Sequence, residues 1–494
     1  MPQEFYSKQK SDRQPYEDRA KLISKLTIPY LIREDTDTGT TQMTTAQTQS
    51  YGGRLVNTLK AKMGMALLPP STSSFRYVPD PIELEALTQG SPDNRAKVYE
   101  QISSATTRVN TELEVQQIRN SLFDLIAQLI VVGSVLIEKV KDKGILVHLL
   151  QSFVVELDRP GSPIQMCLVE KLKVLPDGVV VKEEKEEYDL YTMLTMDKET
   201  KRWTMVQEIE GEYVGTEKTY KDYDSLPFRY LGWVWMQGDY CHRPYAEDYY
   251  ADMKQMDELA ELLTQGSRIA AKSLLFVNQR GGRTTKEDVS ESANGDVIDG
   301  VAEDVTALQL NKNFDFQVPM EREARLQKGL ASAFLMNESV TRDAERVTAK
   351  EIEFMARELE TSSLAGIYSK LSLQWSKWII QQIMGELKIK FNSIEVEVIT
   401  GLDALGRSQE NQKLDNYVQK LEATNRGVWL KDEEVVTRWA SYDGINTVNL
   451  IKSPKEVQQE MKQRQQQAAQ AAGQEEMAKA TGQGAGQAMT QQQG

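Results

Sequence analysis

The residues able to do chemistry are few and scattered. His148 and His242 are the only histidines in 494 residues, so the commonest general base is nearly missing. Cys241 stands beside His242, and the other cysteine, Cys167, lies far from it in the chain. A metal centre needs three or four ligands, and this spacing offers two. No G-x-x-x-x-G-K-[ST] occurs. The nearest approach, GLDALGR at 401–407, has the glycine spacing, but arginine replaces the lysine and only Ser408 supplies a hydroxyl. A strand-to-helix turn explains it more simply than phosphate binding. No catalytic residue, metal or cofactor is therefore expected.

Carboxylates are the remaining catalytic option. Asp288, Glu291, Asp296, Asp299, Glu303 and Asp304 crowd residues 285–305, the kind of supply a two-metal nuclease draws on. They sit among Gly, Asn and Ser, without aromatics to shape a substrate pocket. A solvated acidic surface is the simpler reading, and a metal-dependent nuclease using this segment is the alternative. Asp222-Tyr223-Asp224 reads as a turn. The basic residues show more pattern. Arg322, Arg325 and Lys328 fall at i, i+3, i+6, on one side of a helix, while Lys254, Arg268 and Lys272 dot an earlier one and Arg342 and Arg346 mark a charged loop. Each alone is an ordinary solvated charge. They gain meaning where many copies of the chain set them around one axis.

The elements that would position these residues define an α+β chain. Helices are expected at about 15–32, 45–68, 81–103 and 109–131. Asp80-Pro81-Ile82-Glu83 supplies a cap, a proline at the first helical position and an acid after it. From about 132 to 235 the period shortens: GSVLIEKV, ILVHLL, FVVEL, QMCLVEKLKV, YDLYTMLTM, RWTMVQEI and FRYLGWVW are short runs rich in β-branched and aromatic residues, parted by turns. They predict an antiparallel β-domain, a sandwich or small barrel. Helix returns at about 244–272 and 320–336, around an insertion at 273–318 whose SLLFVN and NFDFQV read as strand. IEVEVIT, 394–400, is a further strand. Residues 401–452 are expected to be helical, and a Gln-rich helix over about 454–480 to lead into a disordered tail.

The sharpest local signal opens the longest helix. Thr348 and Glu351 form a capping box, and Val347 and Ile352 a hydrophobic staple. Apolar residues then recur at helical spacing to about Met384, on the order of 55 Å. Thr361, Ser362, Ser363 and Gly366 predict a kink. Such a helix holds the preceding charged loop, 337–346, on a rigid support.

Composition bounds the function. The formal charge is −14, against a protein that grips nucleic acid over its whole surface, since tight phosphate binding needs clustered Lys and Arg. Two distant cysteines argue against a disulfide framework. The best apolar run, 122–137, is broken by Gln128 and Gly133, and the N-terminus has no signal-peptide core. A soluble, intracellularly made protein with no membrane partner is expected.

Several stretches together point further. TQSYGGRLVNTLKAKMGMALLPPSTSSFRY (48–77), RPYAEDYYADMKQMDELAELL (243–263), DAERVTAKEI (343–352) and TGLDALGR (400–407) resemble, in order, the portal or head-to-tail connector proteins of short-tailed, T7-like bacteriophages. The resemblance spans about 15–450; the Gln-rich tail departs from it. It implies a ring-forming portal fold: a wing (1–242, with the long helix and strand of 348–400), stem helices (243–272 and 319–336), a clip (273–318), a tunnel loop (337–347), a crown (401–454) and a C-terminal tail (455–494). It further implies a homo-dodecamer at one capsid vertex through which double-stranded viral DNA passes. Its partners would be the terminase large subunit, a tail adaptor, the major capsid and scaffolding proteins, and internal core proteins at the crown. The implied tunnel-loop residues are Asn337, Glu338, Thr341, Arg342, Asp343, Glu345 and Arg346. The implied stem channel face is Lys254, Arg268, Lys272, Arg322, Arg325 and Lys328. The implied clip contacts are Gln279, Arg280, Arg283, Asp296 and Asp299. ATP hydrolysis would belong to the terminase, and assembly would take place in the bacterial cytoplasm.

Overall fold

The computed structural model describes residues 1–32, 49–70, 73–88, 92–176, 185–270, 274–277, 290–291, 305–308, 313–336, 349–389, 391, 396–400 and 407–424, with a few single positions beyond. The chain is a mixture of helix and antiparallel sheet. It divides into two compact units, residues 1–71 with 113–382, and residues 72–112 with 383–494.

The larger unit is organised around two antiparallel sheets. One has three strands in the order β3-β2-β9, with β2 at Ser134–Val140, β3 at Gly144–His148 and β9 at Phe228–Gly232. The other is a five-strand meander of β4 (Phe153–Leu157), β5 (Pro163–Leu172), β6 (Tyr188–Met196), β7 (Trp203–Ile209) and β8 (Glu212–Tyr220). All but β8 are runs whose β-branched and aromatic content predicted strands; β8, largely exposed and rich in charge, was not among them. Helix α1 (Pro2–Leu26) lies on the five-stranded sheet, where Tyr6 packs with Val154, Cys167 and Tyr191. Its charged face is not all solvated. Arg13 and Glu17 are buried as an ion pair at 3.3 Å, and Arg13 Nη1 also donates to the carbonyls of Leu150 and Phe153.

Helix α2 (Tyr51–Leu67) and the Ile118–Val131 helix pack against each other and carry much of the core, with Leu55, Val56, Leu59, Met63, Ile118, Leu122 and Leu125 fully buried. The fit depends on glycine. A Cβ on Gly64 would stand 2.4 Å from the Phe123 ring, and one on Gly52 2.1 Å from the Leu26 carbonyl oxygen. The Ala349–Thr361 helix lies on α2. It breaks at 362–364, where the kink is expected, and resumes through Ala365–Leu371, a π-helical Ser372–Ser376 and Lys377–Glu386. Trp375 and Trp378 are buried there, and Trp378 Nε1 donates to the Leu226 carbonyl at 3.2 Å. Val347 and Thr348 of the expected capping box and staple lie outside the described residues.

The smaller unit holds a sheet that the sequence half revealed. β12 (Val396–Thr400) is the expected strand; its antiparallel partner, β1 (Phe75–Pro79), falls between the helices expected at 45–68 and 81–103, where no strand was predicted. Phe75, Tyr77 and Phe391 pack in series at 5.3 and 5.2 Å between ring centroids. Asp80 caps the following Pro81–Thr88 helix as expected, accepting from the Ile82 N–H at 2.7 Å.

Three element readings are corrected. The first helix starts at Pro2 and carries Pro15 within it. Helix is continuous over Pro92–Val115, and the break falls at Gln117, held at φ 53. Residues 313–318 are helix, not strand: one helix runs Asn313–Ala333 with Pro319 inside it. Their period-2 alternation is only six residues long, too short to outweigh the helix it continues.

Candidate functional site

The candidate surface is a helical hairpin. The Tyr250–Ala270 helix, 21 residues long, packs along the Asn313–Ala333 helix, and between them in the chain the strands β10 (Leu274–Val277) and β11 (Val305–Leu308) pair antiparallel. Its root is clamped by aromatics. Tyr245, Tyr249 and Phe334 pack mutually at 5.1 to 5.4 Å, Trp233 packs on Tyr245 at 5.2 Å, and Tyr245 Oη donates to the Ala333 carbonyl at 2.7 Å. Arg243 adds a two-pronged bond to Asp239 at 2.9 and 3.1 Å, which holds the Asp239 carboxyl below the usual carboxylate range. Tyr16 and Arg19 of α1 join through Asp239 and Glu247, at 2.8 Å each.

Above the root the hairpin is open. Lys254 and Arg268 are exposed, Lys254 making a loose 3.8 Å pair with Glu258. Arg322, Arg325 and Lys328 are exposed along the second helix, with no ion pair among the described residues. Successive members rise about 4.5 Å along the axis. The hairpin therefore presents a short row of exposed cations. It also leaves apolar side chains in water: Leu262, Val318, Met320 and Phe276 are 60, 72, 58 and 57 % exposed. Lys272, the implied tunnel-loop residues (337–347) and the implied clip contacts Gln279, Arg280, Arg283, Asp296 and Asp299 lie outside the described residues. So does nearly all of the acidic 285–305 segment on which the nuclease alternative depends.

The two histidines serve the core. His148 Nε2 meets Glu138 at 3.3 Å. His242 Nδ1 bonds the Tyr230 hydroxyl at 2.9 Å, Tyr230 in turn reaches Ser134 Oγ at 3.0 Å, and a Cβ on Gly232 would lie 2.0 Å from the His242 ring. Burial, with the Lys370 ammonium nearby, drives the imidazole's pKa down to about 3, so it is neutral. Burial likewise pushes the Cys241 thiol up to about 11 and Cys167 to about 12. Neither is a poised nucleophile. Among the described residues no three His, Cys, Asp or Glu side chains are grouped as metal ligands.

A profile of the family described as bacteriophage head to tail connecting protein matches residues 3–430. The chain belongs to that family. It is 30 % identical over 487 residues to the portal protein of Escherichia phage T7, covering 93 % of this chain and 89 % of that one. The portal protein of Enterobacteria phage T3 is 31 % identical over 435 residues, 84 % and 80 % of the two chains. That of Enterobacteria phage SP6 is 30 % identical over 502 residues, 96 % and 94 %. Among solved structures, a chain of the virion of a native gene transfer agent particle aligns with 73 % of this chain and 94 % of its own length, at 12 % identity and a TM-score of 0.34. The chain is thus a phage head-to-tail connector, as the ordered motifs at 48–77, 243–263, 343–352 and 400–407 predicted. As a connector its place is the head–tail junction of the virion.

Proposed function

We propose that twelve copies of the chain close into a ring at one capsid vertex and form the channel through which viral DNA enters during packaging and leaves during ejection. The stem hairpins would stand side by side around the axis, with the 337–347 loop narrowing the bore. The 273–318 clip would dock first the terminase large subunit and then a tail adaptor. The wing would meet capsid and scaffolding proteins, and the crown would meet internal core proteins. The chain would itself be a conduit without catalysis.

Family membership across residues 3–430 carries this reading. The hairpin supports it physically. A two-helix element that leaves Leu262, Val318 and Met320 in water has an uncovered apolar surface, and neighbouring copies would cover it. Ring symmetry would turn Arg322, Arg325 and Lys328 into circles of charge. Sparse circles in an otherwise acidic lumen centre a duplex without the many phosphate contacts that would stall it.

The test replaces Arg322, Arg325 and Lys328 by alanine together, and Arg342 and Arg346 together. Rings should assemble in both cases, while packaged or retained DNA falls. Normal DNA content in both variants would overturn the channel role of these side chains, and loss of the ring would make them structural.

A further inference from the structure

Helix α2 touches both elements that flank residues 337–348. At its first residue, Tyr51 Oη donates to the Gln327 carbonyl of the 313–333 helix at 2.9 Å. Eleven residues on, about 16 Å along the axis, Lys62 Nζ meets Glu358 Oε2 of the 349–361 helix at 3.0 Å; the two side chains are 6 and 20 % exposed. Near its end the Ala66 carbonyl accepts from Tyr368 Oη at 3.4 Å, beyond the 362–364 break. These contacts reach a stem helix and both segments of the long helix.

α2 is also seated so that it cannot slide easily. Gly52 and Gly53 let its first turn approach the Leu26 and Thr27 carbonyls, with Cβ positions 2.1 and 3.0 Å away, and Gly64 lets its last turns approach the Phe123 ring at 2.4 Å. Shifting α2 along its axis would take the glycines off these close approaches and put side chains there. Tyr51, Gly52, Gly53, Lys62 and Gly64 all fall in the 48–77 motif that helped mark the family, and the channel reading gives none of them a task.

We infer that α2 is a strut coupling the 313–333 stem helix to the 349–361 helix, with Tyr51 and Lys62 as the positioning residues at its two working points. Because α2 is seated at both ends, loosening the stem helix at Tyr51 loosens the seat of α2, and with it the hold of Lys62 on Glu358 and the long helix. The structural claim stands on these contacts; its consequence for DNA rests on the channel reading above.

Hydrogen exchange of the assembled protein tests it, using Tyr51→Phe, Lys62→Met and the double variant. Tyr51→Phe removes one hydroxyl and keeps the ring packing. Coupling predicts faster exchange, about threefold to tenfold, in the 313–333 helix and also in the 349–361 helix, with which Tyr51 shares no hydrogen bond among the described residues. It predicts too that the double variant departs from the product of the single effects. Acceleration confined to the 313–333 helix in Tyr51→Phe, with multiplicative effects in the double variant, would overturn the strut. Should Lys62→Met fail to fold, Glu358→Gln serves in its place. DNA retention separates the two readings. If the Arg342→Ala/Arg346→Ala protein loses DNA but Tyr51→Phe exchanges normally in the 349–361 helix, the channel stands and the strut falls. The reverse pattern leaves the strut standing without the channel.

Discussion

The sheet-centred body and the helical hairpin of residues 250–333 solve opposite problems. In the body, Trp203, Trp375, Trp378, Tyr368 and Phe153 are almost wholly buried, and even charged groups such as Arg13 and Glu17 are taken out of water as pairs. The hairpin has one clamped end, and beyond it apolar and cationic side chains both stand in solvent. The body is complete as a single chain. The hairpin leaves apolar side chains exposed on a long helix pair, the kind of surface that calls for a partner. In the ring proposed above, the body would be the stable block and the hairpin the element whose surface the neighbours finish.

The contrast can be broken most severely in the body. Trp375→Ala should cost about 3–5 kcal/mol of unfolding free energy, read from urea titration of the body's aromatic fluorescence, because the indole is fully buried beside Trp378. A loss under 1 kcal/mol would mean that this core yields easily. Acid should act through His242. Its folded pKa, about 3, is below the unfolded value of 6.5, so the unfolded chain binds the extra proton between them. This contribution to stability is whole above pH 6.5 and is lost as pH falls toward 3, by at most about 1.4 kcal/mol per pH unit. His242→Asn should flatten that part of the stability–pH curve. An unchanged slope would remove His242 as its source. The smallest effect on folding belongs to the hairpin. Leu262→Ser with Val318→Ser should leave unfolding within about 0.5 kcal/mol of the parent while weakening assembly, seen as a lower native mass at equal concentration. Destabilised unfolding with unchanged mass would reverse the assignment of these side chains.

Sequence reading succeeded where the cause was local. The 362–364 break follows from Thr, Ser and Ser in succession, the Asp80 cap from its own side chain, and the strands of 134–232 other than β8 from short β-branched runs between turns. It failed where the cause lay far along the chain. β1 is five residues ending in proline, and its partner is more than 300 residues away. Arg13, Glu17 and Lys62 look like helix surface until the sheet and the 349–361 helix cover them. At the candidate site, the i, i+3, i+6 row Arg322, Arg325 and Lys328 was legible because helical spacing alone defines it. The brace through Tyr51 was not, since a tyrosine hydroxyl meeting a carbonyl 276 residues away leaves no periodic trace.

The most direct measurement is the native mass of the purified protein, with copies counted by electron microscopy. A closed ring with an axial hole at about 670 kDa, twelve times the 56.0 kDa chain, is the predicted result. A monomer or dimer that persists at high concentration would contradict it, because the hairpin's exposed face would then have no neighbour and its cations no axis.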